Sequence, residues 1–229
     1  MKDFSALEFD AASYEAPRSR RMVRKSVYTL FGKRLLDLVI VLSAIIPVSL
    51  IVGAAYVLVR MNGGPGFYSQ MRVGKDGKLF KCYKLRTMHV DAEERLKTLC
   101  AENPEIAAEW HKNQKLKNDP RIIRFGKFMR ETSIDELPQV YNVLFGDMSI
   151  IGPRPFTPDQ DRYYREAGGS AYYQLKPGLT GLWQIKARGS SEFVTRVVYD
   201  NAYARTLSLK NDILIVLKTF AVVLARTGE

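Results

Sequence analysis

The stretch LVIVLSAIIPVSLIVGAAYVLV, residues 38–59, decides the fold because it carries no charged side chain over its whole length. A helix needs about 20 apolar residues to cross the hydrocarbon core of a bilayer, and the helices of soluble proteins seldom stay apolar for so long. Pro47 lies in the middle, where it removes one helical hydrogen bond and predicts a break, and Ser43 is placed to satisfy the freed carbonyl group. The stretch therefore predicts a membrane helix that is broken near its centre.

Basic side chains flank this stretch on both sides, and they bear on how it sits in the membrane. Positive charge prefers the cytoplasmic side, so neither flank is assigned to the outside. Two topologies stay open: a re-entrant helix that enters and leaves by the same leaflet, which the flanks favour, and a helix that spans the bilayer. The flanking residues are Lys33 and Arg34 before the stretch and Arg60, Arg72, Lys75, Lys78, Lys81 and Lys84 after it.

Outward from the apolar stretch, the chain divides into three parts. Residues 1–27 are predicted to form a basic, flexible tail and residues 28–62 the re-entrant membrane helix. Residues 63–229 are predicted to form a cytosolic core. The predicted fold class is α+β and mainly α, with a small β-hairpin and amphipathic helices at the membrane interface.

Within the core, local patterns predict the elements. FYSQMRVGKDGKLFKCYKLRTM, residues 67–88, predicts the hairpin around the turn Lys75-Asp76-Gly77. Residues 90–117 predict helix, residues 163–175 a helix broken by Gly168-Gly169, residues 176–189 a loop, and residues 191–207 a further helix. The final LKNDILIVLKTFAVVLAR, residues 209–226, is short for a span and predicts an interfacial helix.

Composition limits the chemistry. The net charge of the 229 residues is +11, which suits an anionic partner such as nucleic acid, an acidic membrane surface or a phosphate-bearing substrate. With two cysteines and two histidines, any acid–base or metal chemistry depends on carboxylates. Neither a GxGxxG fingerprint nor a Walker A motif occurs.

Two adjacent carboxylates, Asp135 and Glu136, lie in SIDELPQ, residues 133–139. One interpretation is a helix start, with Ser133 and Glu136 as a capping box. The other is an anion site, because Arg and Lys residues precede the pair and a carboxylate beside a bound phosphate can act as nucleophile or metal ligand.

Two further segments offer cations for such a site. In IGPRP, residues 151–155, prolines fix the backbone around Arg154, which suits bidentate contact with phosphate. Lys84 and Arg86 alternate along one predicted strand and would share a face. A surface turn and a solvated strand face are the alternative interpretations of these two segments.

The order of these segments resembles the bacterial sugar transferase family, the monotopic phosphoglycosyl transferases, over residues 28–226. The resemblance rests on residues 33–50, residues 67–88, NDPRIIRFGKFMRETSIDELPQVYNVLFGDMSIIGPRP at 118–155, and KPGLTGLWQI at 176–185. It implies that Asp135 attacks the β-phosphate of a UDP-sugar, releases UMP and holds the phosphosugar covalently until undecaprenyl phosphate accepts it. Glu136 is implied to bind Mg²⁺ as the cofactor. Galactose and glucose are the favoured sugars, by similarity to members that prime exopolysaccharide.

The resemblance also implies roles for other residues. Lys84, Arg130 and Arg154 match the family's cationic positions, Asp200 with Tyr203 matches a late acidic residue near a tyrosine, and Pro47 matches the helix-breaking proline of a re-entrant helix. The expected substrate-binding residues are therefore Lys84, Arg86, Arg130, Arg154, Asp200 and Tyr203. Larger relatives carry further membrane helices and a soluble domain, so the chain is expected to be a minimal form.

The resemblance further implies the cytoplasmic face of the bacterial inner membrane, contact with its lipid, and downstream glycosyltransferases as partners. A homo-oligomer stays open, and no nucleic acid is expected. The rival interpretations are a membrane-anchored scaffold and a glycosyltransferase that moves the sugar without its phosphate. Charge concentrated around a carboxylate pair argues against the first, and the lack of βαβ alternation against the second.

Overall fold

In a computed structural model, which describes residues 22–113, 116–187 and 193–224, the apolar stretch forms one long helix. Helix α1 (Lys33–Arg60) continues from a π-helical turn at Tyr28–Gly32. The helical backbone runs through Pro47, so the predicted division into two helices is wrong. Pro47 lies on the exposed side of α1, and its missing N–H leaves the carbonyl of Ser43 without its helical hydrogen bond. The hydroxyl of Ser43 donates to the carbonyl of Ile40 at 2.9 Å rather than to the group that Pro47 frees.

One side of α1 packs along the core for almost its full length. Its buried residues begin with Asp37 and Val41 near one end and finish with Val59 near the other. The carboxylate of Asp37 accepts hydrogen bonds from the Ser149 hydroxyl and the Ile150 amide, both at 2.9 Å, which fixes the start of the helix. The opposite side is apolar and exposed, and it is lined by Leu35, Val39, Leu42, Ile46, Leu50, Val57 and Leu58.

The predicted hairpin is confirmed. Strands β1 (Phe67–Val73) and β2 (Leu79–Leu85) pair in antiparallel fashion, and the turn between them holds Asp76 at a φ of 56°. Asn142 fastens β2 to the rest of the core: its side-chain oxygen accepts from the Tyr83 amide at 3.0 Å and its nitrogen donates to the Lys81 carbonyl at 2.7 Å.

The predicted helix over residues 90–117 is two helices, α2 (Ala92–Glu102) and α3 (Pro104–Asn113). Asn103 separates them, and its side-chain oxygen accepts from the amides of Glu105 at 2.9 Å and Ile106 at 3.2 Å, as a helix cap does. Helix α4 (Arg124–Glu131), a 3₁₀ turn at Ile134–Glu136 and helix α5 (Gln139–Phe145) follow.

The loop predicted over residues 176–189 is wrong over residues 178–186, and residues 188 and 189 lie outside the described residues. Strand β4 (Gly178–Thr180) pairs in parallel with β3 (Ser149–Ile151), and the short helix α7 (Leu182–Lys186) follows at once. No local pattern marks β4, because it is three residues long and forms only against β3. Gly178 allows the approach: a Cβ there would lie 2.1 Å from the amide nitrogen of Gly152.

The elements between β3 and α9, apart from β4 and α7, surround a cluster of aromatic rings. Helix α6 (Pro158–Glu166) ends before the predicted glycine break, and 3₁₀ turns at Ala171–Gln174 and Phe193–Thr195 precede helix α8 (Arg196–Thr206). The rings of Phe156, Tyr164, Tyr172 and Tyr173 pack together beneath α8.

Helix α9 (Leu209–Leu224) confirms a C-terminal helix, which buries Ile215 and leaves Leu217 and Phe220 exposed. The fold is therefore mainly helical with small sheets, as predicted. Of the predicted tail, residues 1–21 lie outside the described residues. The main-chain amides of Met22 and Val23 donate to the side chain of Gln174 at 2.7 and 3.2 Å.

Candidate active site

Asp135 and Glu136 lie in the 3₁₀ turn that joins α4 to α5. Ser133, just before the turn, has a left-handed backbone with φ 58° and makes no capping hydrogen bond. The capping box is therefore wrong, since an N-cap residue needs an extended backbone. The left-handed residue instead reverses the chain and presents both acids on a tight turn, where each is more than nine-tenths buried.

Two cations from different elements hold Glu136. Lys84, on β2, places its Nζ 2.8 Å from Oε1. Arg154, in the proline-flanked turn after β3, donates from Nη2 to Oε1 at 2.7 Å and from Nη1 to Oε2 at 3.2 Å. Burial opposes ionisation of this carboxyl, but the charges and hydrogen bonds of Arg154 and Lys84 hold its pKa well below the usual range.

Asp135 has the opposite surroundings. Within the part of the chain that the structure describes, no hydrogen bond or ion pair reaches its carboxylate. Burial raises the pKa of Asp135, and the charge of Glu136 adds to that effect. Lys84, Arg130 and Arg154 lie near enough to counteract it in part. The site thus has one clamped, ionised carboxylate beside one that is open to react.

Arg130 approaches Asp135 from the last turn of α4. Its Nε donates to the hydroxyl of Thr87 at 2.9 Å, which fixes the guanidinium beside the dyad. Burial lowers the pKa of Arg130, while the charge of Asp135 raises it. The structure therefore brings together three of the expected cationic residues, namely Lys84, Arg130 and Arg154.

Arg86 is not brought to this site. Strand β2 ends at Leu85, and the guanidinium of Arg86 turns to the end of α1, where it donates to the carbonyls of Val59 and Gly63. The expectation that Arg86 shares the face of Lys84 is wrong, because strand alternation stops one residue too early. Its charge instead satisfies carbonyls at the C-terminus of α1.

Asp200 and Tyr203 lie on α8 but do not act as a pair. Asp200 accepts a hydrogen bond from the Tyr164 hydroxyl at 3.0 Å, and burial raises its pKa to about 7. Tyr203 donates to Asp212 at 2.8 Å. Both side chains are at least 97% buried, and no hydrogen bond joins either to the dyad.

Two arginines near the dyad were missed from the sequence. Arg72 lies on β1 across from Phe80, on the same face of the hairpin as Lys84, and its charge acts on Glu136 and Arg154. The predicted hairpin could have revealed Arg72, because side chains alternate along a strand and every second residue of β1 lies on that face. Arg196 begins α8, and nothing local in the sequence connects it with Arg154.

The comparisons with known proteins agree with this geometry. The family model described as bacterial sugar transferase matches residues 28–226. The chain belongs to the bacterial sugar transferase family.

Curated relatives of this family are similar over most of the chain. The chain is 47% identical over 199 residues to the undecaprenyl-phosphate galactose phosphotransferase of Salmonella typhimurium, covering 86% of this chain and 41% of that protein. It is 40% identical to the exopolysaccharide production protein ExoY of Sinorhizobium fredii, covering 86% of this chain and 88% of that protein. It is also 40% identical to the UDP-glucose:undecaprenyl-phosphate glucose-1-phosphate transferase of Caulobacter vibrioides, covering 82% of this chain and 67% of that protein. The chain thus spans about two fifths of the length of the Salmonella relative.

A divalent cation would find few protein ligands at this site. Among the described residues, no group of three His, Cys, Asp or Glu side chains could hold a metal. Mg²⁺ is commonly bound by one or two carboxylates together with substrate phosphates. Oε1 of Glu136 already accepts from two cations, whereas Oε2 and both oxygens of Asp135 keep free lone pairs. The donor set therefore fits a cation that arrives with a phosphate-bearing substrate.

Proposed function

We propose that the chain transfers a sugar-1-phosphate from a UDP-sugar to undecaprenyl phosphate and releases UMP. This would be the first membrane step in assembly of an exopolysaccharide or another surface glycan. Membership of the family and the names of the relatives support the reaction class.

The open carboxylate of Asp135 is the observation that carries the mechanism. One of its oxygens attacks the β-phosphorus, and the bond from that phosphorus to the bridging oxygen breaks, so that UMP leaves with the electron pair. A phosphate oxygen of undecaprenyl phosphate then attacks the same phosphorus, and the acyl phosphate bond breaks to restore the Asp135 carboxylate. Neither step requires net proton transfer.

The cations around the dyad fit the charge that such steps move. Lys84, Arg130 and Arg154 act on Asp135 from fixed positions, so they can stabilise charge on the transferring phosphoryl group without rearranging. Glu136 keeps Lys84 and Arg154 in place, and its charge raises the pKa of Arg154. Glu136 would hold Mg²⁺, which when bound would supply positive charge to neutralise the phosphates.

Position at the membrane forms part of the proposal. We place the protein at the cytoplasmic face of the bacterial inner membrane, with α1 re-entrant or lying in one leaflet. Support comes from α1 itself, which packs on the rest of the protein along one side and exposes apolar side chains along the other. A perpendicular span would carry that core into the hydrocarbon, at a high cost.

The choice of sugar is proposed from the relatives alone. The Salmonella relative is named for galactose and the Caulobacter relative for glucose, so these are the favoured donors. UMP release measured with a panel of UDP-sugars would identify the substrate.

Exchange of Asp135→Asn tests the proposal. The purified protein in nanodiscs, supplied with UDP-sugar and undecaprenyl phosphate, should lose UMP release by at least about 10³-fold, since an amide is a poor nucleophile. The matched control is Asp159→Asn, which removes an exposed carboxylate on α6 and should leave turnover unchanged. Near-normal UMP release by Asp135→Asn would contradict the covalent mechanism.

A further inference from the structure

A second group of positive charges lies on the Glu136 side of the dyad. Arg72 from β1 and Arg196 from α8 both lie near Arg154, and the three charges repel one another. Burial is the main cause that lowers the pKa of Arg196, to about 10, and the charges of Arg154 and Arg72 lower it further. Contacts link the three arginines: Arg72 donates to the carbonyl of Pro155, the neighbour of Arg154, and Phe156 packs on Phe193, the ring on which Arg196 stacks. The nearby carboxylate of Glu136 already binds Arg154 and Lys84.

Arg196 lacks the partners that a buried guanidinium normally has. It is 8% exposed, and within the described ranges no hydrogen bond to it is found; its Nε is buried without a partner. The guanidinium stacks on Phe193 at 4.1 Å and on Trp183 at 4.9 Å from the ring centroids. Asp200 lies close enough to act on it electrostatically, but that carboxylate accepts from Tyr164 instead.

Arg72 is in a similar position. Its Nη atoms donate to the neutral oxygens of Pro155 at 3.3 Å and Gln70 at 2.7 Å. Its Nε is buried without a partner. No ion pair with Arg72 occurs among the described residues, so the positive charge is not neutralised by a direct contact.

Such an arrangement is costly unless an anion completes it. A buried charge is destabilising when it lacks a partner, and stacking on aromatic rings compensates only in part. Arginine pairs match the planar, bidentate geometry of phosphate oxygens, and two adjacent guanidinium groups suit a dianion. Arg72 is half-buried, so its guanidinium is not wholly closed off from solvent.

We propose that Arg72 and Arg196 form a second phosphate subsite, which binds a phosphomonoester next to the phosphoryl group that reacts at Asp135. The inference rests on the proposed function and deepens it. Two phosphomonoesters occur in that reaction: the phosphate of the nucleoside monophosphate that leaves, and the phosphate of the lipid acceptor. Asp200 then acts on Arg196 through its charge, rather than contacting substrate.

Variants Arg72→Gln and Arg196→Gln test the subsite, with Arg196→Lys to retain charge. The matched control is Arg165→Gln, because Arg165 also stacks in the aromatic cluster, on Tyr173, but pairs with Asp161 away from the dyad. UMP and inorganic phosphate binding are measured by calorimetry, and Michaelis constants are measured for both substrates. Loss of a charged phosphate contact should weaken binding by about tenfold or more.

The pattern of change identifies the source of the phosphate. Weaker binding of UMP with an unchanged Michaelis constant for undecaprenyl phosphate assigns the subsite to the nucleotide. A raised Michaelis constant for undecaprenyl phosphate with unchanged UMP binding assigns it to the acceptor. Changes below about twofold in both, or equal changes in Arg165→Gln, would overturn the proposal.

Folding and the proposed function are tested separately. If Arg196→Gln does not fold, Arg72→Gln decides alone, and inorganic phosphate should raise the melting temperature of the wild-type protein more than that of Arg72→Gln. Equal rises would overturn the subsite. A wild-type protein that releases no UMP from any UDP-sugar would contradict the proposed function, while the calorimetric test of the subsite would still apply.

Discussion

Asp135 and Glu136 are neighbours in the chain whose carboxyl groups have opposite electrostatic surroundings. Glu136 is ionised by contact with Lys84 and Arg154, whereas burial makes ionisation of Asp135 harder. A carboxylate that is poorly solvated and has no hydrogen bond is the more basic and the better nucleophile. The structure therefore supports Asp135 rather than Glu136 in the nucleophilic role.

This asymmetry predicts a pH dependence. Asp135 must be ionised to attack, and its pKa is raised, so kcat/KM should be constant at neutral pH and fall on an acid limb above the usual aspartate pKa of about 3.9. Because Lys84 lowers the pKa of Asp135, exchange of Lys84→Met should move that limb to higher pH. The measurement is a pH profile of kcat/KM, with samples returned to neutral pH to exclude irreversible loss. A limb that stays in place in Lys84→Met would contradict the assignment to Asp135.

At the scale of elements, the site is assembled by three connections that hold α1, the β1–β2 hairpin and the turn after β3 together. Asn142 joins β2 to α5, Asp37 joins α1 to β3, and Arg86 joins the end of α1 to the hairpin. Each is a polar contact in a largely apolar interface, where an unpaired partner would be costly. These contacts fix the distances on which the dyad depends.

Arg86→Gln should therefore affect stability more than substrate binding. Loss of a charged donor to the carbonyls at the end of α1 should destabilise the fold by about 2 kcal/mol, with little change in the Michaelis constant for UDP-sugar. The exposed Arg162→Gln serves as the control and should change stability by less than about 0.5 kcal/mol. Unfolding by denaturant in detergent measures the first quantity. A large rise in the Michaelis constant at unchanged stability would restore Arg86 as a substrate ligand.

Elements that are marked by neighbouring residues in the chain could be predicted from the sequence, whereas elements that form through tertiary contacts could not. The hairpin has a turn signal and alternation, so it was predicted correctly, and Lys84 with it. Strand β4 has neither, because it exists only through pairing with β3. Ser133 in SIDELPQ fits a cap in sequence, but its backbone is left-handed, which no local pattern predicts. Arg196 reaches the site through tertiary contacts alone.

For the whole molecule, charge and apolar surface divide in a way that suits a membrane surface. The net charge of +11 favours an anionic leaflet, and the exposed apolar side of α1 runs the length of a helix that also packs on the core. A helix of 28 residues is about 42 Å long, more than the roughly 30 Å of a bilayer's hydrocarbon core. Attachment along one side favours a protein that lies at one leaflet.

Labelling of single cysteines tests this topology. In a Cys100→Ser background, Lys25→Cys and Val90→Cys place exposed thiols before and after α1. Both should be protected from an impermeant maleimide in intact cells and labelled after permeabilisation. Labelling of only one of the two in intact cells would support a spanning helix instead.

Asp135 is proposed to carry the phosphosugar covalently, and a trapped adduct tests this most directly. The protein is incubated with UDP-sugar in the absence of acceptor, quenched, digested and analysed by mass spectrometry. The expected result is a hexose phosphate on Asp135 that forms with UMP and disappears when undecaprenyl phosphate is added. An adduct on Glu136, or full UMP release with no adduct on either residue, would contradict the account.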